Sequence, residues 1–139
     1  MNMKIMVAID DSAFSKEALL GARHLAVSEH ATLRIVSAVP DSDEADQRVG
    51  LKLLEQAKSV VGNGLNIETR MLRAEAEYGV NGIAAAIAGA ANEWDADLVV
   101  VGTADRRGLE RFVIGSVAEQ LVSKVRASIL VVRPRHSTD

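Results

Sequence analysis

Five short runs rich in β-branched and aliphatic residues recur along the chain, and a stretch with helical spacing separates each from the next. Lys4 to Ile9 (KIMVAI) is a continuous apolar run, the pattern of a strand buried on both faces, and Asp97 to Thr103 is a strand buried by its VVV run, while Thr32 to Val39 (TLRIVSAV) and Ser128 to Val132 read as two further strands. Leu65 to Met71 alternates apolar with polar residues, which predicts a half-exposed strand at a sheet edge. Between them, Phe14, Ala18, Ala22 and Leu25 predict a first helix reaching about Ser28, with Asp11 or Ser12 as its N-cap. Val49, Leu53, Ala57 and Val60 mark a second helix, preceded by a polar loop or early turn over Asp41 to Asp46 and closed by Gly62-Asn63-Gly64. Arg73 to Gly79 is irregular. Asn81 is positioned to cap a third helix with Ile83, Ala84, Ile87, Ala91 and Trp94 inward. Ser116 and Glu119 have capping-box spacing, and Ala118, Leu121, Val122 and Val125 predict the inner face of a fourth helix.

Strand and helix alternating throughout a chain of 139 residues predict one α/β domain over residues 1–139, with 133–139 a polar tail. Right-handed crossovers then give a doubly wound, five-stranded parallel sheet with four helices. The expected strand order is 3-2-1-4-5, with its switch point between strands 1 and 4. Ligands in such sheets bind at the carboxyl ends of the strands flanking that point. Asp10, Asp11, Gly102, Thr103 and Gly115 are thereby expected around one crevice.

Composition removes several classes. Aromatics are 3% of the chain and the formal net charge is −3, so neither base stacking nor a basic footprint for nucleic acid is available. The absence of cysteine excludes disulfides, thiolate metal sites and cysteine nucleophiles. His24, His30 and His136 lack ligand spacing, so no metal site is expected. The N-terminus has no apolar run of signal-peptide length, and the longest apolar block, Ile83 to Ala91, is far too short to span a bilayer. The expectation is a soluble, cytoplasmic protein with no membrane or nucleic-acid partner.

Chemistry concentrates in two places. Gly102, Gly115 and Ser116 bracket an arginine-rich loop between the fourth strand and the fourth helix. Glycines and a helix start can cradle phosphate through backbone N–H groups, although spacing alone favours an ordinary turn with a capping box. Asp10 and Asp11, directly after strand 1, can hold a ribose, a base edge or a metal, or can simply cap a helix. Arg106, Arg107 and Arg111 are more simply solvated than phosphate-binding. Ser12, Ser15 and Ser37 have no partnering histidine and no nucleophile elbow, and Trp94 and Tyr78 are most simply packing residues. No catalytic residue emerges.

Over nearly its whole length the chain resembles the universal stress protein family. The resemblance rests on VAIDDSAFSKEAL at the start and on GTADRRGLERFVIGSVAEQLVSKVRASILVVRP at the end. It implies an adenine-nucleotide α-hydrolase-like fold. Nucleotide-binding members carry glycine, two residues, glycine, nine residues, glycine, then serine or threonine. Gly102, Gly115 and Ser116 match, while Asp105 stands at the middle glycine. The resemblance further implies Asp10 against the adenosine, backbone near Ala38 against adenine, and Gly102 with Gly115 and Ser116 along ribose and phosphates. Asp105 puts a side chain and a negative charge where phosphates lie, so ATP binding is expected to be weak or absent. ATP or AMP, with or without Mg²⁺, is the cofactor implied where the site functions, and a functional ATP- or AMP-binding protein is the alternative. The family also implies a homodimer through the last strand, Ser128 to Val132, and a stress-response binding or signalling role rather than an enzyme, with weak nucleotide hydrolysis left open. A response-regulator receiver is the rival from another class. It fits Asp10-Asp11 and Thr103 but lacks the phosphoacceptor aspartate over Met71 to Ala74 and has Arg133 where a lysine belongs.

Overall fold

The computed structural model describes residues 2–10, 13–41, 44–103 and 116–133. The elements in chain order are β1 (Lys4–Ala8), α1 (Ala13–Glu29), β2 (Thr32–Pro40), α2 (Glu44–Val61), β3 (Asn66–Ala74), α3 (Gly79–Trp94), β4 (Leu98–Gly102), α4 (Ser116–Lys124) and β5 (Ser128–Val132). All the strand pairings are parallel, and the sheet order is β3-β2-β1-β4-β5. The expected topology is therefore the observed one, with the reversal of strand order at β1 and β4 and edges at β3 and β5.

Strand alternation builds two cores, one on each face of the sheet. Ile5, Val7, Leu33, Ile35 and Val100 point to the face covered by α1 and α2, where Ala18, Ala22, Leu54 and Val61 meet them. Met6, Val36, Val99 and Val101 point to the opposite face, against Ile87 and Ala91 of α3 and Ala118 and Leu121 of α4. Alanine is the common helical residue at both contacts. Its small side chain lets the helices sit close to the branched side chains of the strands, which is how a core with almost no aromatics fills its space.

Several local expectations need correction. The inner face of α2 lies one residue further on than the pattern Val49, Leu53, Ala57, Val60 suggests: Gly50, Leu54, Ala57 and Val61 are buried, while Val49 and Val60 are 51% and 41% exposed. An apolar stripe wider than one residue leaves the rotation of a helix to its neighbours, and Gly50 lets α2 approach Val39 and Met71 closely. Asn81 does not cap α3. A 3₁₀ turn over Ala76–Tyr78 leads straight into a helix that starts at Gly79, with Tyr78 at the N-cap making no side-chain cap bond. Gly79 has φ of 53°, a left-handed backbone that favours glycine. Tyr78 is exposed rather than packed, and so is Val122 of α4, at 67%. Ser116 is the first residue of α4, with Glu119 in its first turn. β3 runs on to Ala74, beyond Met71. The proposed caps Asp11 and Ser12 lie outside the described residues.

The end of the sheet opposite the ligand edge is tied together by polar contacts. The Arg34 guanidinium lies 4.1 Å from the centre of the Trp94 ring. It also donates to Glu68 Oε1 at 2.8 Å from Nε and 2.6 Å from Nη2. Lys4 Nζ donates to the Trp94 carbonyl at 3.1 Å. Asn92 accepts from the Arg126 N–H and donates to the Lys124 carbonyl, both at 3.0 Å. These contacts anchor the C-terminus of α3 to β1, β2 and the turn before β5. The other end of α3 is then a firm wall for the crevice above the sheet.

Candidate functional site

At the carboxyl ends of β1 and β4 the chain must part. β1 continues toward α1 and its neighbour β4 toward α4, on opposite faces of the sheet. The divergence opens a crevice of about 300 Å³. Asp10, Ala38, Gly102 and Ser116, drawn from four separate parts of the chain, all line it. Asp11, Asp105 and Gly115, with Arg106, Arg107 and Arg111, lie outside the described residues.

Each lining residue has a local cause. The Ile9 N–H donates to Val36 O at 2.9 Å, so the ladder outlasts β1 by one residue and delivers Asp10 at the rim. Asp10 is fixed by the first turn of α1. Ser15 Oγ accepts from the Asp10 N–H at 2.7 Å and donates to Asp10 Oδ1 at 2.8 Å. The hydroxyl that sequence reasoning set aside for want of a histidine thus holds the aspartate backbone and carboxylate together. A serine five residues after a strand-ending aspartate is the signal that could have found it. Ala38 comes from the adjacent β2 and has too small a side chain to fill the space. Ile83 and Ile87 of α3, with Val101 and Val117, supply an apolar wall that no motif announced.

Thr103, just past β4, also lines the crevice. Its N–H donates to Val132 O at 3.1 Å. Its hydroxyl is buried without a hydrogen-bond partner, the one such side-chain atom among the described residues. An unpaired buried hydroxyl costs about 1–3 kcal/mol.

The electrostatic layout is polarised. A carboxylate stands at the β1 side. Across from it, Ser116 opens α4, whose N-terminal amides carry the positive end of a helix dipole and favour negative charge by about 0.3–1 kcal/mol. Among the described residues no group of three metal-ligating side chains exists. An apolar slot with an acceptor at one end and amide donors at the other suits a flat, neutral body carrying donors on one side and an anionic group on the other.

Comparison with known proteins gives a consistent picture. The profile of the universal stress protein family matches residues 1–133. The chain is 31% identical to universal stress protein YxiE of Bacillus subtilis (strain 168), over 94% of this chain and 98% of that one. Among solved structures, a universal stress protein in complex with cAMP superimposes with a TM-score of 0.69 and 26% identity, covering 94% of this chain and 96% of the other. Universal stress protein UspA from Lactobacillus plantarum superimposes with a TM-score of 0.79 at 20% identity, covering 94% and 97%, a likeness of fold.

Proposed function

This chain belongs to the universal stress protein family, and we propose that it is a cytoplasmic, dimeric stress-response module that binds an adenine mononucleotide in the crevice, holds ATP weakly and does not turn it over. One observation carries this proposal: Asp10, Ala38, Gly102 and Ser116, separated by up to most of the chain, converge on one crevice of about 300 Å³. That volume lies within the range of about 300–1,000 Å³ for ligand sites. Asp10 accepts from the ribose hydroxyls, backbone beside Ala38 meets the adenine edge, and the start of α4 receives the phosphate. The related structure solved with cAMP supports an adenosine monophosphate as the ligand class.

Calorimetric titration with AMP, cAMP and ATP, with and without Mg²⁺, tests the proposal. AMP binds more tightly than ATP; micromolar ATP affinity equal to that for AMP overturns the impairment. Asp105 stands where the family motif has glycine. A unit charge about 4 Å from a phosphate opposes binding by roughly 1 kcal/mol in water. Asp105→Gly is accordingly expected to raise ATP affinity about fivefold, and no gain shows that this position is not limiting. Ser15→Ala removes the hydroxyl that bonds both the Asp10 N–H and its carboxylate and is expected to weaken AMP binding about threefold to tenfold, read in the same titration. An unchanged affinity shows that Asp10 is held without Ser15.

The dimer follows from the sheet edge. β5 pairs with β4 on one side and is the terminal strand of the sheet. Leu130 is exposed on it. Pairing with a second copy covers both the edge and that apolar side chain. A monomeric solution mass at micromolar concentration defeats the dimer. Among the described residues no helix is long and apolar enough to cross a membrane. The receiver alternative finds no support in the structure, because β3 ends in Leu72, Arg73 and Ala74 with no aspartate to phosphorylate.

A further inference from the structure

Thr103 is 6% exposed, yet its hydroxyl has no partner. Strand alternation, continued one residue past β4, places its side chain on the same face as Val99 and Val101, the face toward α3 and α4. Val101 and Thr103 both line the crevice. The crevice lining includes the apolar Ile83, Ile87, Val117 and Ala118, and its polar side chains, Asp10, Ser15 and Ser116, make no hydrogen bond to the Thr103 hydroxyl. Valine has the shape of threonine and lacks the hydroxyl, so valine would suit this wall better in the empty protein. A ligand in the crevice would supply the partner that the hydroxyl lacks.

We infer that Thr103 is a ligand contact, its hydroxyl donating a hydrogen bond to a phosphate oxygen of the bound mononucleotide. This rests on the nucleotide proposal above and adds to it a residue and a chemical selectivity. The choice of phosphate follows from the layout. Asp10 is an acceptor and takes the hydroxyl donors of the sugar. Thr103 follows β4, the strand whose connection leads to α4, and Ser116 opens that helix on the same crevice. The helix N-terminus favours an anion, and an ester-phosphate oxygen accepts and cannot donate, so it matches a hydroxyl that has a proton to give. The threonine then favours adenosine monophosphates over adenosine itself.

The test compares wild type, Thr103→Val and Thr103→Ser in thermal unfolding without ligand and in titrations with AMP and with adenosine. Thr103→Val is expected to keep the ligand-free unfolding midpoint or raise it by about 2–4 °C, because it removes an unpaired buried hydroxyl. It is expected to weaken AMP binding about tenfold while changing adenosine affinity less than twofold. Thr103→Ser keeps the hydroxyl and retains AMP affinity within about threefold. Equal losses for AMP and adenosine, or a lowered ligand-free midpoint with unchanged AMP affinity, overturn the assignment. Wild-type protein that binds AMP as tightly as Thr103→Val does overturns the assignment and leaves the nucleotide proposal standing. Wild-type protein that binds no adenine nucleotide ends both.

Discussion

Truncation of Leu121 to alanine lowers the unfolding free energy by about 2–5 kcal/mol, a large share of the roughly 5–15 kcal/mol that holds a domain of this kind folded. Leu121 is fully buried in the core between the sheet and α3 and α4. α4 has 9 residues, and isolated helices shorter than about 12–15 residues are marginal in water. α4 is therefore helical because Leu121, with Ala118, has a core to enter. Removing three carbons leaves a cavity under the helix and weakens its seat on the core. Ser116 opens the helix, so the AMP affinity proposed above is expected to fall along with stability. Urea denaturation should show a lower midpoint with an unchanged slope, and amide exchange in α4 should accelerate before exchange elsewhere. Val122→Ala, one position on but 67% exposed, should stay within about 0.5 kcal/mol of wild type. A Leu121→Ala loss below 1 kcal/mol contradicts the assignment of α4 to the core.

Gly82→Ala and Gly89→Ala have opposite signs within one helix. In an exposed helix interior alanine is favoured over glycine by about 1 kcal/mol. Gly89 is exposed, and a Cβ there meets nothing within 4 Å, so Gly89→Ala gains up to about that amount. At Gly82 a Cβ falls 2.5 Å from the Glu75 carbonyl oxygen and 3.4 Å from the Glu75 nitrogen. These are backbone atoms at the entry to the 3₁₀ turn before α3 and cannot rotate aside. The turn or the helix must shift, and overpacking of this kind costs about 1–3 kcal/mol. Paired denaturation curves measure both variants; stabilisation by Gly82→Ala would show that the turn yields freely. Because α3 carries Ile83 and Ile87 into the crevice, the destabilised variant should also bind AMP less well.

Much of the fold is legible because its signals are local and repeated. A run such as Val99 to Val101 can be satisfied only between neighbouring strands with cover on both faces, and five strands alternating with helices leave few topologies. Element starts were less legible. Asn81 is a good cap by residue type, but the chain leaves β3 through a 3₁₀ turn and enters α3 two residues earlier. The face of α2 was displaced by one residue because Val49, Leu53, Ala57 and Val60 are as apolar as the residues beside them. Burial is decided by what the helix meets, and Gly50 fits against Val39 and Met71 where a larger side chain would not.

The candidate site divides in the same way. Strand order and handedness follow from the pattern of elements, and the strand ends at the switch point then bring Asp10, Ala38, Gly102 and Ser116 together before any side chain is placed. The sequence by itself therefore determined the sheet and the edge of the sheet at which a ligand belongs, because those depend on periodicity and on residues at element ends, and its first and last stretches carried the resemblance to the family. Tertiary structure alone decided the rest. It turned Ser15 from an unremarkable helix serine into the partner of Asp10, made Ile83 and Ile87 a wall, and left the Thr103 hydroxyl buried without a mate. Each of those depends on distances of a few ångströms between residues far apart in the chain, which no local pattern encodes.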